Sequence, residues 1–521
     1  MKRNQSIQSP GWAPFALLLA AFVLMSLIAP SGYVGGSSDD WQYLNAARCW
    51  REFGPCLPQD HWQGRWPVIA PLAAITAVAG ESRFTVSLWP MIASFFALWL
   101  LALVGNRKFG SPVGWLASFL LLLTPAFTIQ MLAPRVEAVE LAFVLAGALA
   151  VLHWDEQRSG AMAFVAGLMF AMAVQVRETA AIATAFAAIY VISRKPRPSA
   201  RDLILGALSF SIPFAVEFLV FAISAGDPFW RRRLSLGHTQ IISSELLARP
   251  DAGSSPFFNP TYIANWRREM GIHVHWTVDG MLNLLVNPRA GISLTIVPLL
   301  LASSRRIADL ASWRQALLLW AGALLYVAAL TYGFALDPKS RLMVVPIAMA
   351  HVAFALLSWR LLKARRRALV VALWVLIALV GLAFRVGNPG TALAEPSARQ
   401  WIATHPGDIE IDPNTHRELT LIKEARELPG LDANKGLFLY GASTDCTQLP
   451  QHGGLPSGAL HLVAEKSLSR LGFIRAPWGA LCLYKFEKSV SAEMVRQAIR
   501  SSRHDGAFIL SPRPTAVLDR D

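Results

Sequence analysis

The sequence predicts a polytopic α-helical membrane protein with a small α/β domain at its C-terminal end, and three observations carry that expectation. The 521 residues are 54% hydrophobic and 16% charged, with a mean hydropathy of +0.41, whereas soluble proteins average roughly 25% charged. Apolar runs of 15 to 22 residues recur between Ala13 and Arg385, long enough for helices to cross a hydrocarbon core of ~30 Å. From residue 387 onward the chain becomes charged; Gly436–Gly441 and Ala480–Phe486 alternate like strands, and Met494–Ser501 reads as a helix.

The first run, Ala13–Pro30, follows Met1, Lys2 and Arg3 like a signal peptide. No A-x-A-like site follows it and ten more runs do, so it reads as a transmembrane anchor with its N-terminus inside. The other spans are 84–104, 112–131, 137–154, 161–175, 178–193, 203–224, 289–303, 314–335, 342–359 and 368–386, about eleven in all. The inner loops then hold Arg107 and Lys108, Arg158, Arg194 to Arg201, Arg305, Arg306 and Arg314, and Arg360 to Arg367. The short outer loops hold only Arg135, Arg177, Lys339 and Arg341, which satisfies the positive-inside rule. The net charge of +14 is therefore read as a topology marker, and nucleic acid is not an expected partner.

Two segments are ambiguous. Val68–Gly80 has 13 residues, about 20 Å of helix, too short to span, so it is expected to dip into the outer leaflet. Ala161–Ser193 is broken by Val176-Arg177-Glu178, and two short helices meeting at the outer surface avoid an ion pair at mid-bilayer. The outside then carries loops 31–83 and 225–288 and a domain at 387–521, beyond a membrane domain at 1–386. Cys49 with Cys56 and Cys446 with Cys482 all fall there, which allows two disulfides in an oxidising compartment or, alternatively, four unpaired thiols.

Polar residues in apolar surroundings cluster on that side. Asp39-Asp40, in Gly35–Tyr43, could activate a hydroxyl, one carboxylate accepting the proton and the other orienting or coupling to it. An Asp pair in such a loop also serves as a helix N-cap, here for a helix Trp41–Arg51. His61–Pro67 sets Arg65 among tryptophans, where an interfacial anchor is the plain alternative. Arg135-Val136-Glu137, Arg177-Glu178 and Lys339-Ser340-Arg341 each put charge at a helix end, where snorkelling would suffice. Together, Arg65, Arg135, Arg177, Lys339 and Arg341 come from five segments yet share one bilayer level, which suits the phosphate of a lipid carrier.

In order, Asp39-Asp40, Arg65-Trp66-Pro67, Gly80-Glu81-Ser82-Arg83, Asn106–Gly110, Thr124-Pro125, Arg135-Val136-Glu137 and Arg177-Glu178-Thr179 resemble the protein mannosyltransferase-like glycosyltransferases. These are polytopic GT-C enzymes that include the aminoarabinose transferase of lipid A and rhizobial lipopolysaccharide-core galacturonosyltransferases. The likeness runs over about residues 10–360 and is clearest at 31–195. It implies a GT-C membrane fold, Asp39 as catalytic base with Asp40 its partner, Arg65 on the carrier phosphate, and Arg177, Glu178 and Arg341 as counterparts of the family's site residues; Arg135 and Lys339 join the phosphate-binding set through their shared bilayer level. Tyr43, Asp60, His61, Glu137 and Glu178 are expected to support them. The chain departs from the pattern at Asp40, often Glu, at Trp66, often Pro, and at Gly64, acidic in some relatives; Asp60 is the nearest substitute for that carboxylate.

In the large outer loop His273 and His275 invite a metal, but no carboxylate or cysteine lies nearby in sequence, and neither metal nor cofactor is expected. Phe229-Trp230-Arg231-Arg232-Arg233 reads as a surface helix on anionic headgroups, with acceptor binding the sharper alternative. The expected activity is transfer of a monosaccharide from a polyprenyl-phosphate carrier to a hydroxyl of lipid A, an envelope glycan or a protein, and the resemblance implies that the transfer inverts the anomeric centre. The expected place is a bacterial inner membrane, with the site facing the periplasm and membrane lipids as surroundings. A flippase for lipid-linked sugars, or a scaffold without activity, would use the same cations differently.

Overall fold

The computed structural model describes residues 12–28, 39–110, 112–128, 130–235, 309–333, 340–363 and 367–387, most of 281–305 and parts of 394–498. Its membrane part runs α1 (Trp12–Ile28), α2 (Asp39–Phe53), α3 (Trp66–Ala79), α4 (Arg83–Phe109), α5 (Val113–Leu122), α6 (Pro125–Thr128), α7 (Glu137–Gln157) and α8 (Gly160–Val176). There follow α9 (Ala181–Ser193), α10 (Ala200–Ala225), α11 (Ile292–Ser304), α12 (Leu310–Ala328), α13 (Val344–Lys363) and α14 (Arg367–Gly387). Among the described residues six helices are long and apolar enough to cross a membrane: Phe84–Phe109, Glu137–Gln157, Ala200–Ala225, Leu310–Tyr332, Arg341–Lys363 and Arg367–Phe384. The other five predicted spans fall on the shorter apolar helices Trp12–Ile28, Val113–Leu122, Gly160–Val176, Glu178–Ser193 and Ile292–Ser304. The protein is a multi-pass helical membrane protein.

α13 is the axis of the bundle. It packs against α5, α11 and α12 and buries nearly every side chain from Val344 to Leu361, while α10 and α14 keep their apolar outer faces exposed, as lipid-facing helices do. Helices approach closely where side chains vanish: a Cβ at Gly114 would collide with the Ala102 carbonyl, and one at Gly167 with the Gly206 carbonyl. The predicted span 112–131 is interrupted, because Pro125 supplies no amide hydrogen and starts a new short helix after Thr124. The break is secured by a buried chain in which Thr124 Oγ1 lies 2.7 Å from His351 Nε2 and Ser293 Oγ 2.6 Å from His351 Nδ1. The segment 161–193 divides as expected: α8 ends at Val176, Arg177 is extended, and a 3₁₀ turn at Glu178–Ala180 leads into α9.

α3 is 14 residues long and packs against α2 and α4, with Val68, Ile69 and Leu72 buried beside Tyr43, Leu44 and Ala47. Two further ties fix α2. Cys49 is disulfide-bonded to Cys56, and Arg48 donates to Glu81 at 2.9 Å. Burial opposes ionisation of Glu81, but the Arg48 bonds and the nearby Arg51 outweigh it and hold the carboxyl below its usual range.

The C-terminal part is a five-stranded sheet in the order β2-β1-β3-β5-β4, with β1 (Ile409–Ile411), β2 (Arg426–Glu427), β3 (Leu437–Ala442), β4 (Leu460–Ser467) and β5 (Ala480–Phe486). β1 runs parallel to β2 and β3, and β5 antiparallel between β3 and β4. Period-two alternation sends Leu481 and Leu483 to one face, against Ala394, Ala398 and Ile402 of α15 (Ala394–Thr404). It sends Cys482 and Tyr484 to the other, with Tyr440, Val495 and Ala498. Cys446 is bonded to Cys482. The predicted strands at 436–441 and 480–486 match β3 and β5, and the predicted helix at 494–501 is helical at Met494, Val495, Gln497 and Ala498.

Candidate active site

α2 begins with the acidic pair itself, so Asp39 and Asp40 lie in its first turn rather than ahead of it. The N-cap reading of Asp40 is corrected: its Oδ1 accepts from Arg135 Nε at 2.6 Å, and its buried Oδ2 has no hydrogen-bond partner among the described residues. Burial lifts the Asp40 carboxyl to about 6, which Asp39 reinforces and Arg135 and Arg341 oppose. Asp39 is more open and pairs through Oδ2 with Arg341 Nη2 at 3.0 Å. Two neighbouring carboxylates thus sit in different surroundings, the usual arrangement for acid–base work.

Around them the remaining predicted residues converge. Arg65, at the N-cap position of α3, donates through Nη1 to the buried Tyr43 hydroxyl and reaches Glu178 at 3.9 Å. Burial pushes the Tyr43 hydroxyl up, so it remains protonated. Arg177 bridges Glu140 Oε2 at 3.4 Å and the Leu342 carbonyl at 3.3 Å, which joins the α8–α9 break to the turn carrying Arg341. Glu137 opens α7; it is 2% exposed, and its Oε2 is without a hydrogen-bond partner among the described residues. Arg135, set just before it, also donates from Nη1 to Gln130 at 2.7 Å.

Three expectations change. Asp60 does not supply a site carboxylate: both its oxygens accept from Gln63, from the backbone amide at 2.9 Å and the side-chain amide at 3.2 Å, closing its own loop. His61 stacks on Trp62, with ring centres 3.8 Å apart, in that same loop. Arg231 does not rest on the surface. Its guanidinium donates to Glu178 Oε1 at 2.8 Å, to the Gln175 carbonyl at 3.0 Å and to Glu217 Oε2 at 3.4 Å. Trp230 holds the turn in place by donating to the Pro58 carbonyl at 2.8 Å. The Arg231 methylenes pack over Gly64, 3.5 Å from where a Cβ would stand, an ordinary van der Waals contact. The signal that could have found Arg231 is the one that found the others, a cation just beyond a span on the outer side. Lys339, His273 and His275 lie outside the described residues.

The cluster brings Arg65, Arg135, Arg177, Arg231 and Arg341 together with Asp39, Asp40, Glu137, Glu140, Glu178 and Glu217. Charge nearly balances, so its chemistry lies in which atoms are left over. Buried Nε–H groups of Arg65 and Arg341 have no acceptor among the described residues, and Asp40 Oδ2 and Glu137 Oε2 no donor. Orphaned buried groups cost about 1–3 kcal/mol each, and they persist where a ligand completes them. Below the cluster, an apolar cavity of about 330 Å³ runs between α4, α7, α9, α12 and α13, from Leu141, Tyr326 and Val345 toward Lys108 and Tyr190 at the other end of the bundle.

Fold and site together define a multi-pass membrane protein with a carboxylate–arginine centre at one end of its bundle. Residues 67–221 match the family model described as dolichyl-phosphate-mannose-protein mannosyltransferase. None of the curated proteins matches. Among solved structures, the chain is similar to the oligosaccharyltransferase of Archaeoglobus fulgidus in complex with zinc and sulfate, at 13% identity and TM-score 0.46 over 83% of this chain and 64% of that one. Its length thus spans about 64% of that protein. It is also similar to ArnT from Cupriavidus metallidurans, in the apo state at 12% identity and TM-score 0.37 over 93% and 98% of the two chains. With undecaprenyl phosphate bound, the same ArnT compares at 11% and 0.38 over 92% and 99%.

Proposed function

We propose that the protein is an inverting glycosyltransferase that moves a monosaccharide from a polyprenyl-phosphate carrier to a hydroxyl of an envelope acceptor. The observation that carries this reading is the sorting of unfilled hydrogen-bond capacity in one cluster. Carboxylate oxygens of Asp40 and Glu137 await a donor such as a hydroxyl, and arginine N–H groups of Arg65 and Arg341 await acceptors such as phosphate oxygens. The description of the matched family names dolichyl phosphate mannose, a sugar on an isoprenoid phosphate, which agrees with that donor class.

In this reading the acceptor hydroxyl lies at Asp39, with Asp40 beside it. The hydroxyl oxygen attacks the anomeric carbon, its proton passes to the carboxylate, and the bond from that carbon to the phosphate oxygen breaks, leaving its electron pair on the phosphate. One displacement inverts the anomeric centre. Arg65, Arg177, Arg231 and Arg341 stabilise the departing phosphate, while Arg135, committed to Asp40 and Gln130, positions the acidic pair. The carrier's isoprenoid chain extends into the apolar cavity below. We place the site on the periplasmic side of a bacterial inner membrane, on the positive-inside argument. Acceptor choice among lipid A, polysaccharide and protein is assigned to 225–288 and the domain 387–521. The test is transfer from a synthetic polyprenyl-phosphate sugar in liposomes, together with mass spectrometry of envelope glycans from a strain lacking the protein. Release of carrier phosphate and loss of one sugar from an envelope glycan are expected; intact donor and an unchanged glycan profile would refute the reading.

A further inference from the structure

A second cavity lies at the far end of the bundle from the acidic pair. It has a volume of about 220 Å³ and is enclosed by α7, α8, α9 and α10, with Ala166, Phe170, Ala187, Val191, Gly206 and Phe210 on its walls. Its polar features gather at the helix ends. Trp154 lines the cavity, is 2% exposed, and carries an indole N–H with no acceptor among the described residues. The Arg158 guanidinium lies 4.5 Å over the Trp154 ring and has a buried Nη1 that also lacks an acceptor. Beyond them the loop to α10 exposes Lys195, Arg197 and Arg201. Two carboxylates are near. Asp155 is taken by Arg158 at 3.2 Å and Arg194 at 2.6 Å, and Asp202 stands on the lining itself.

The missing partner must therefore bring negative charge, acceptor oxygens and an alkyl chain, in that order from the helix ends inward. A sugar or peptide would strand its donors on these apolar walls. We propose that the cavity holds one acyl chain of an anionic phospholipid, whose ester and phosphate oxygens accept from Trp154 and Arg158. Its charge is met by Lys195, Arg197 and Arg201. The outer face of α10, largely unburied and apolar, leaves the bilayer beside the site. The lipid fills the gap in the α9–α10 packing, and this role is independent of the sugar-transfer reading.

The test uses the full chain in phosphatidylcholine vesicles containing a trace of phosphatidylglycerol with a photoactivatable acyl chain, or the same probe built on phosphatidylcholine. Crosslinks are expected within 184–210 from the phosphatidylglycerol probe. Trp154→Phe keeps an aromatic ring, though a smaller one, without the N–H, and Arg197→Gln with Arg201→Gln changes only exposed residues. Each should reduce the yield, the latter roughly tenfold, and Ala188→Phe should fill the space and abolish it, with gel-filtration profiles unchanged. Equal crosslinking by the phosphatidylcholine probe, displacement by inorganic phosphate alone, or an unaltered yield in the Arg197→Gln/Arg201→Gln protein would overturn the proposal.

Discussion

The two ends of the bundle carry the same kinds of residue and use them in opposite ways. At the basic end, Arg107 pairs with Glu156 at 2.8 Å, Arg194 with Asp155 at 2.6 Å, and Arg360 with Asp309 at 3.4 Å, and each pair has at least one partner well exposed to solvent. At the acidic-pair end, Arg135 and Asp40 are 9% and 3% exposed, Arg177 and Glu140 7% and 4%, and several of their neighbours' polar atoms are left unfilled. Exposed pairs contribute little, at most about 1 kcal/mol each, and serve here to mark topology. Buried ion pairs carry a desolvation penalty that packing alone does not require, so their retention points to chemistry.

Substitutions should separate the two ends. After the loss expected at Asp39 itself, the largest effect is expected for Asp40→Asn, which removes the other member of the acidic pair and should reduce transfer by about 10²–10⁴-fold in a liposome assay. Next is Arg135→Ala. Leaving Asp40 buried without its cation should lower stability by about 3–5 kcal/mol, read from denaturant unfolding in detergent, unless the carboxyl takes up a proton. Arg231→Ala and Arg65→Ala should each weaken carrier use by roughly tenfold or more through KM, the scale of one charge-assisted hydrogen bond. Equal KM values for the Arg231→Ala and unmodified proteins would remove that arginine from the phosphate site.

The pH profile sharpens the contrast further. Asp40 is ionised above about 6, so transfer that needs its anion should fall as pH drops through that value. Arg135→Gln takes away the cation that favours the anion, so the acid limb should move to higher pH, whereas Arg194→Gln should leave it in place. A limb that stays put in the Arg135→Gln protein would detach it from Asp40. The smallest effects are reserved for the basic end: Arg107→Ala or Arg194→Ala should change stability by no more than about 1 kcal/mol and leave transfer unchanged.

Much of this was legible in the chain. Among the described residues the apolar runs drawn from the sequence fall on helices, 112–131 on two rather than one, because side-chain transfer to hydrocarbon is a local property that hydropathy records. Asp39, Arg65, Arg135, Arg177 and Arg341 could be grouped because each follows or precedes a span on one side, and depth is set by where a span ends. Partnership could not be read in that way. Arg231 meets Glu178 across 53 residues and was hidden in a basic run that looks superficial. Asp60 looked available until Gln63 was seen to fill both of its oxygens. The His351 chain joins Thr124 and Ser293 from two other helices, and nothing local to His351 indicates either partner. Pairing across helices depends on rotation and crossing angle, which a single sequence does not print.

The central claim is that Asp39 accepts the acceptor's proton while the arginines hold the carrier, so the two jobs should come apart in one variant. The decisive measurement is Asp39→Asn in liposomes with a labelled polyprenyl-phosphate sugar, following product formation and carrier binding together. Transfer is expected to be lost while the carrier still binds. Transfer at the unmodified rate would contradict that claim.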